Sequence, residues 1–162
     1  MNAHAAAVSA TVSLVGFVLG RDRYAVETAR VIRVLRTVAL APLPGSPAIV
    51  AGVCDLHGEL IPVMDVRRRF GLPPRPVALT DQLLVLRSRG RTLAFAVDAV
   101  EPAFVVAGSE ITAAESLVAG LEHIRGIVRL PESGLVLVQD VDRFLSLEEA
   151  QALDTALAGP RA

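Results

Sequence analysis

The stretch Gly52-Val-Cys-Asp-Leu-His-Gly-Glu-Leu-Ile-Pro-Val-Met-Asp-Val66 holds two apolar runs hinged at His57-Gly58, the pattern of a β-hairpin. It returns later in the chain. Gly126-Ile127 opens a second hairpin around the turn Pro131-Glu-Ser-Gly134, and Asp140-Val141 with Phe144 repeats Asp65-Val66 with Phe70, at a shift of 74 or 75 positions. Tyr24-Ala25-Val26 and Phe95-Ala96-Val97 echo each other at a shift of 71. Short strands recurring at a nearly constant shift predict an all-β protein of two small, similar barrels.

Working outward, residues 12–19 are β-rich, 20–23 form a polar turn and 24–27 resume the strand. A helical turn is expected at 28–30 and a strand over 31–38, although the apolar spacing there also fits a helical period. Pro42, Pro44 and Pro47 set an extended connection. Residues 83–87 and 92–100 make a hairpin about Arg89-Gly90, 104–107 a further strand, and 108–122 a loop with some helix. Ser146-Leu-Glu-Glu149 is a capping box, and the helix it opens sets Leu147, Ala150, Leu153 and Leu157 on one face before stopping at Gly159-Pro160. The expected organisation is a flexible tail over 1–11, the two-barrel unit over 12–147, and a C-terminal helix and tail over 148–162.

With 162 residues, 52% of them apolar and 20% charged, the chain can bury a core without disulfides or metals. Its sixteen cations are all Arg, and a net charge of −1 argues against a nucleic-acid binder that neutralises phosphates. The first half is net positive and the second net negative, which fits either two different partners or two solvated surfaces. A single cysteine, Cys54, excludes an internal disulfide and suits a reducing cytoplasm. Residues 1–20 carry no charged side chain. With Asn2, His4, Ser9, Thr11, Ser13, Gly16 and Gly20 among them, they read as an Ala-rich tail leading into a strand rather than as a membrane span or signal peptide.

No G-x-S-x-G, H-E-x-x-H, Walker or G-x-G-x-x-G pattern occurs, so neither catalysis nor a cofactor is expected. Cys54 and His57, three apart in extended chain, face opposite sides, which makes Cys54 a core thiol. Asp65 and Asp140 read as N-caps of short helical turns, with metal ligation the other reading. The Arg67-Arg68-Arg69 run is a solvated helix face or a contact for phosphate or an acidic partner. Tyr24, Phe70 and Phe144 belong to the core.

Five blocks then occur in order: Phe17-Val-Leu-Gly20 with Tyr24-Ala-Val26, Leu43-Pro-Gly-Ser-Pro47, Gly52-Val53 through Ile61-Pro-Val63 to Asp65, Val97-Asp98-x-Val100, and Asp140 to Phe144. Together they resemble the CheW-like adaptors of bacterial chemosensory arrays, from about Val12 to Leu147. The resemblance implies two tandem SH3-like five-stranded β-barrels side by side, with no catalytic activity and no cofactor or metal. It implies two partners: the cytoplasmic tip of chemoreceptors (methyl-accepting chemotaxis proteins) and a CheA-type histidine kinase, whose regulatory domain has the same fold. Such a protein works in the cytoplasm, peripheral to membrane receptor arrays, without inserting into the membrane or binding nucleic acid. A groove between the barrels would take the receptor's helical hairpin, lined here by Val31, Arg33, His57, Val97, Asp98 and Val100. The end of the first barrel would pack on the kinase.

The chain departs from the family pattern at two of these positions. It has Asp55-Leu-His-Gly58 where many members have Asn-Leu-Arg-Gly, and Arg33 where they commonly have Glu. The expectation is that Arg33 and His57 lie on adjoining strands, with the His57 ring accepting a hydrogen bond from Arg33, and leave a net positive rim. Rim charges chiefly set specificity and encounter rate, so the departure bears on partner choice. The other readings are an accessory scaffold that binds one array partner without activating the kinase, and a small-ligand sensor using the inter-barrel groove.

Overall fold

Turn chemistry sets most boundaries in the computed structural model, which describes residues 10–113 and 123–159. The predicted tail over 1–11 and the loop over 108–122 therefore lie partly outside the described residues, as does Pro160. The elements are β1 Thr11–Leu19, β2 Asp22–Glu27, a 3₁₀ turn Thr28–Arg30, β3 Val31–Arg36, β4 Val50–Leu56, β5 Glu59–Met64, α1 Val66–Arg69, β6 Gln82–Ser88 and β7 Arg91–Val97. There follow β8 Ala99–Ala107, β9 Thr112–Ala113, β10 Ile124–Leu130, β11 Gly134–Gln139, a 3₁₀ turn Val141–Arg143 and α2 Leu147–Ala158. The β4–β5 hairpin turns on two left-handed residues, His57 (φ 53°) and Gly58 (φ 87°). That is the twist a two-residue hairpin loop needs, and the Asp55 carboxylate accepts the Gly58 N–H at 2.8 Å.

Two sheets result. Lobe A runs β8-β1-β2-β11-β10-β9, with β9 only two residues long, and lobe B runs β3-β6-β7-β5-β4. The repeats follow one another along the chain, but the lobes do not. The β1–β2 hairpin of the first repeat sits among the strands of the second, and the β6–β7 hairpin of the second sits among β3, β4 and β5 of the first. In each lobe the last strand of one repeat runs parallel to the hairpin of the other: Val138 lies opposite Ala25, and Val63 opposite Ala94. This register makes Ala25 the equivalent of Ala94, a shift of 69 rather than the 71 of the sequence echo. A slip of two residues keeps every side chain on its own face, which is why the displaced echo also matched.

The repeat extends to fine detail. Both β4–β5 and β10–β11 carry a register shift, at Val50/Gly52 and Ile124/Gly126. The Asp65 N–H donates to the Ile49 carbonyl at 2.7 Å, and the Asp140 N–H to that of His123 at 2.8 Å. Both carboxylates cap the turns that follow, Asp65 accepting from Arg68 N and Asp140 from Asp142 N. These turns begin at Val66 and Val141, the residues directly after the caps. Glycine is required at the two bulges because a neighbouring segment of the backbone presses on each. A Cβ on Gly126 would lie 2.6 Å from the Thr112 carbonyl oxygen, and one on Gly52 would lie 2.8 Å from that of Ala41.

Strand β6 shows how three cores share one chain. Leu83 and Val85 point into the lobe B core with Cys54, Ile61, Val63 and Ala94, while Leu84 and Leu86 point into the junction between lobes. Burial on both faces explains its unbroken apolar run. The junction core gathers Phe17, Tyr24, Phe95, Phe144 and Leu153, and lobe A has its own core around Leu14, Val128 and Val138. Burial of Tyr24, stacked between Phe17 and Phe70, with Asp22 nearby, pushes its phenol up to about 12. Burial likewise pushes the Cys54 thiol up, as expected of a core cysteine.

Helix α2 has the predicted capping box: Glu149 N donates to Ser146 Oγ at 3.1 Å, and Ser146 N to Glu149 Oε1 at 2.9 Å. Its buried stripe differs from the expected one. Leu147 is 79% exposed, and Leu153 with Ala156 forms the docked face, Ala150 and Leu157 being half-buried. The first residue of the helix stands ahead of the turn that reaches the core.

Candidate docking site

The inward-facing alternation of lobe B continues past its core and ends in polar side chains. Glu59 lies two residues before Ile61 on β5, Thr92 two before Ala94 on β7, and Arg87 two after Val85 on β6, all on the core-facing parity. Arg33 stands opposite Val85 in the β3–β6 pairing. These residues line a depression of about 250 Å³ with His57, Leu56 and Ile32, floored by the buried Ile61 and Val85. It is the open mouth of the barrel.

The mouth unites two of the predicted site residues, Arg33 and His57. They do not sit on adjoining strands, because β3 and β4 are the opposite edges of the lobe B sheet. They meet because the sheet curls. Among the described residues no hydrogen bond joins the two side chains. Arg87 and Glu59 were missed at the sequence level, and their signal was parity: each is a charge two residues beyond a core position.

The other four predicted residues lie along the lobe junction. Val31 and Val100 pack half-buried on the junction core, to which the buried Val97 belongs. Val31 pairs with Leu86 and Val100 with Phe17, equivalent places in the two repeats. Asp98 is an ionic tie between lobes. It accepts the Gly20 N–H at 2.7 Å, pairs with Arg67, and takes Arg75 Nη2 at 2.6 Å, while Arg75 also grips the buried Asp81. Burial alone would raise the Asp98 carboxyl, but the Gly20 amide and the two guanidiniums hold it below its ordinary value. No one groove gathers all six residues; β3 links the two groups, since Val31 at the junction is two residues from Arg33 at the mouth.

Elsewhere Arg30 makes a two-pronged pair with Asp142, and Arg69 grips Glu149 at 2.5 and 2.6 Å. Burial would raise the Glu149 carboxyl, but Arg69 and the Ser146 N–H keep it below its usual range. The Arg67-Arg68-Arg69 run is thus divided: Arg67 and Arg69 are internal ties, and Arg68 faces solvent. Among the described residues no three His, Cys, Asp or Glu side chains gather to hold a metal.

Two interlocked barrels with a shared core define a small β-barrel scaffold, and its surface mouth sets charged side chains over an apolar floor. The chain belongs to the CheW-like domain family, whose model matches residues 13–149. It is similar to the chemotaxis protein CheW of Treponema pallidum, 27% identical over 146 residues (86% of this chain, 85% of that one). It is also similar to that of Rhizobium meliloti, 24% identical over 141 residues (86% and 90%). In three dimensions it resembles the scaffolding protein TtCheW from Thermoanaerobacter tengcongensis, with a TM-score of 0.76 at 20% identity, covering 85% of this chain and 94% of that one. The protein is a coupling adaptor of chemotaxis signalling. Among the described residues no helix is long and apolar enough to cross a membrane.

Proposed function

We propose that this adaptor couples chemoreceptors to a CheA-type histidine kinase by binding both, without catalysis, in the cytoplasm beneath membrane receptor arrays. The receptor's helical tip docks at the lobe B mouth on Arg33 and His57. Val31, Val97, Asp98 and Val100 hold the adjoining edge of the junction in place. The kinase's regulatory domain packs on a barrel end, and the two-barrel unit over 12–147 carries both contacts. The observation that carries this reading is the meeting of Arg33 and His57 over an apolar floor, from opposite edges of one sheet. Surfaces of that kind bind through an apolar centre and take specificity from a charged rim.

Co-sedimentation with receptor-bearing membranes, with and without the kinase, tests the reading. Binding is expected in both cases, and the double exchange Arg33→Glu with His57→Arg shifts preference toward receptors that serve mainstream adaptors. Thermal stability should change little, because exposed charges contribute about 0–1 kcal/mol. Sedimentation only when kinase is present, or affinities indifferent to the exchange, would remove the receptor site from this mouth.

A further inference from the structure

Eight arginines of the chain form ion pairs among the described residues. Of the seven other described arginines, Arg33 and Arg87 line the lobe B mouth. Arg33 is opposite Val85 and Arg87 lies two residues beyond it, so the two guanidinium stems rise from one face as diagonal neighbours, roughly 7–8 Å apart at the backbone. Among the described residues Glu59 is the one carboxylate lining the mouth, so formal charge there remains positive without any contribution from His57. The floor beneath is apolar and buried, which weakens solvent screening of whatever binds above it.

We infer that the convergence of Arg33 and Arg87 makes this mouth a receptor for carboxylates, so that its partner is a helical hairpin presenting acidic side chains beside apolar ones. The inference rests on the receptor reading and narrows it to one chemical class of receptor tip. Arg87 is thereby a specificity-determining residue. Glu59 opposes the same partner, so the two substitutions have opposite signs.

The test uses the full-length protein and two soluble hairpin fragments of a chemoreceptor tip, one with glutamates at its turn and one with those glutamates changed to glutamine. The acidic fragment is expected to bind up to about fivefold tighter at low salt, the upper scale of one exposed ion pair, with the advantage shrinking at 0.3 M salt. Arg87→Gln should abolish most of that advantage and leave the glutamine fragment unaffected, whereas Glu59→Gln should enlarge it. Equal binding of the two fragments, or a loss on Arg87→Gln shared by both, overturns the inference and leaves the receptor reading standing. Absence of binding by either fragment to the folded protein overturns both.

Discussion

Lobes A and B are built alike in their interiors and differ at their ends. The shift of 69 makes the hairpin closed by Leu19 and Asp22 equivalent to that closed by Ser88 and Arg91. It sets Arg23 in the place of Thr92 and Gly16 in that of Val85. In lobe A, Arg23 pairs with Glu101, which lies against Gly16, where a Cβ would come within 3.4 Å of the carboxylate. In lobe B the corresponding end has Thr92, Val85 and two arginines, Arg33 and Arg87, that form no ion pair among the described residues. One end is closed by the protein's own ion pair and the other stays open as the mouth. Bulges, caps and parallel pairings were kept in both copies because the fold depends on them. The rims diverged because it does not.

The helix α2 has no counterpart after α1, so it is the sharpest break in the comparison. Leu153→Asp should cost about 3–4 kcal/mol, since an ionised carboxylate among the junction residues lacks a partner, and an unchanged urea midpoint would show the helix to be undocked. Next come the paired bulges. Gly52→Ala and Gly126→Ala should each cost about 2–3 kcal/mol, because the new methyl meets backbone oxygen, and a large difference between them would mean that the two bulges are not equivalent. The tie between lobes is smaller. Asp98→Asn should cost about 1 kcal/mol near neutral pH by weakening a charged hydrogen-bond network. Asp98 and Glu149 both have lowered folded-state values, so the unfolded chain binds more protons as acid is added. Their contribution is complete above ordinary carboxylate values and fades as pH falls through that range to the folded ones. Denaturation followed between pH 7 and pH 2 should show a shallower acid decline for Asp98→Asn. The smallest effect belongs to the plug: Arg23→Thr, which gives lobe A the lobe B residue, should change stability by less than about 1 kcal/mol because the pair is substantially exposed. A larger loss would make the plug structural.

Local chemistry was legible from the sequence wherever one or two residues decide it. His57-Gly58 specifies its turn, Ser146 with Glu149 specifies a helix start, and Asp65 and Asp140 specify caps. The doubled architecture was legible as well, from Gly52 and Gly126 with their following hairpins. The exchange of hairpins was not, because strand alternation tells which face a residue takes and not which strand lies beside it. Val63 beside Ala94 and Val138 beside Ala25 are facts of tertiary pairing. Arg33 and His57 stand out in the sequence as departures from the family pattern, but their meeting across a curled sheet follows from barrel closure, which no local pattern encodes. Leu147 fitted the apolar period of its helix yet fell before the docked turn, since a period gives direction around an axis and not depth along it.

The exchanged hairpins also govern how the molecule can come into being. On a ribosome the β1–β2 hairpin emerges before the other strands, but its neighbours β8 and β11 are made only after every strand of lobe B. Until then its apolar surface and open edges must wait, while lobe B can close once β7 is out. Pairings so distant in sequence make folding slow, and an edge that waits can be captured by the same edge on another nascent chain. A single cut in the backbone, wherever it falls between β3 and β7, separates no lobe cleanly from the other. The order of synthesis therefore lets lobe B form first and lobe A second.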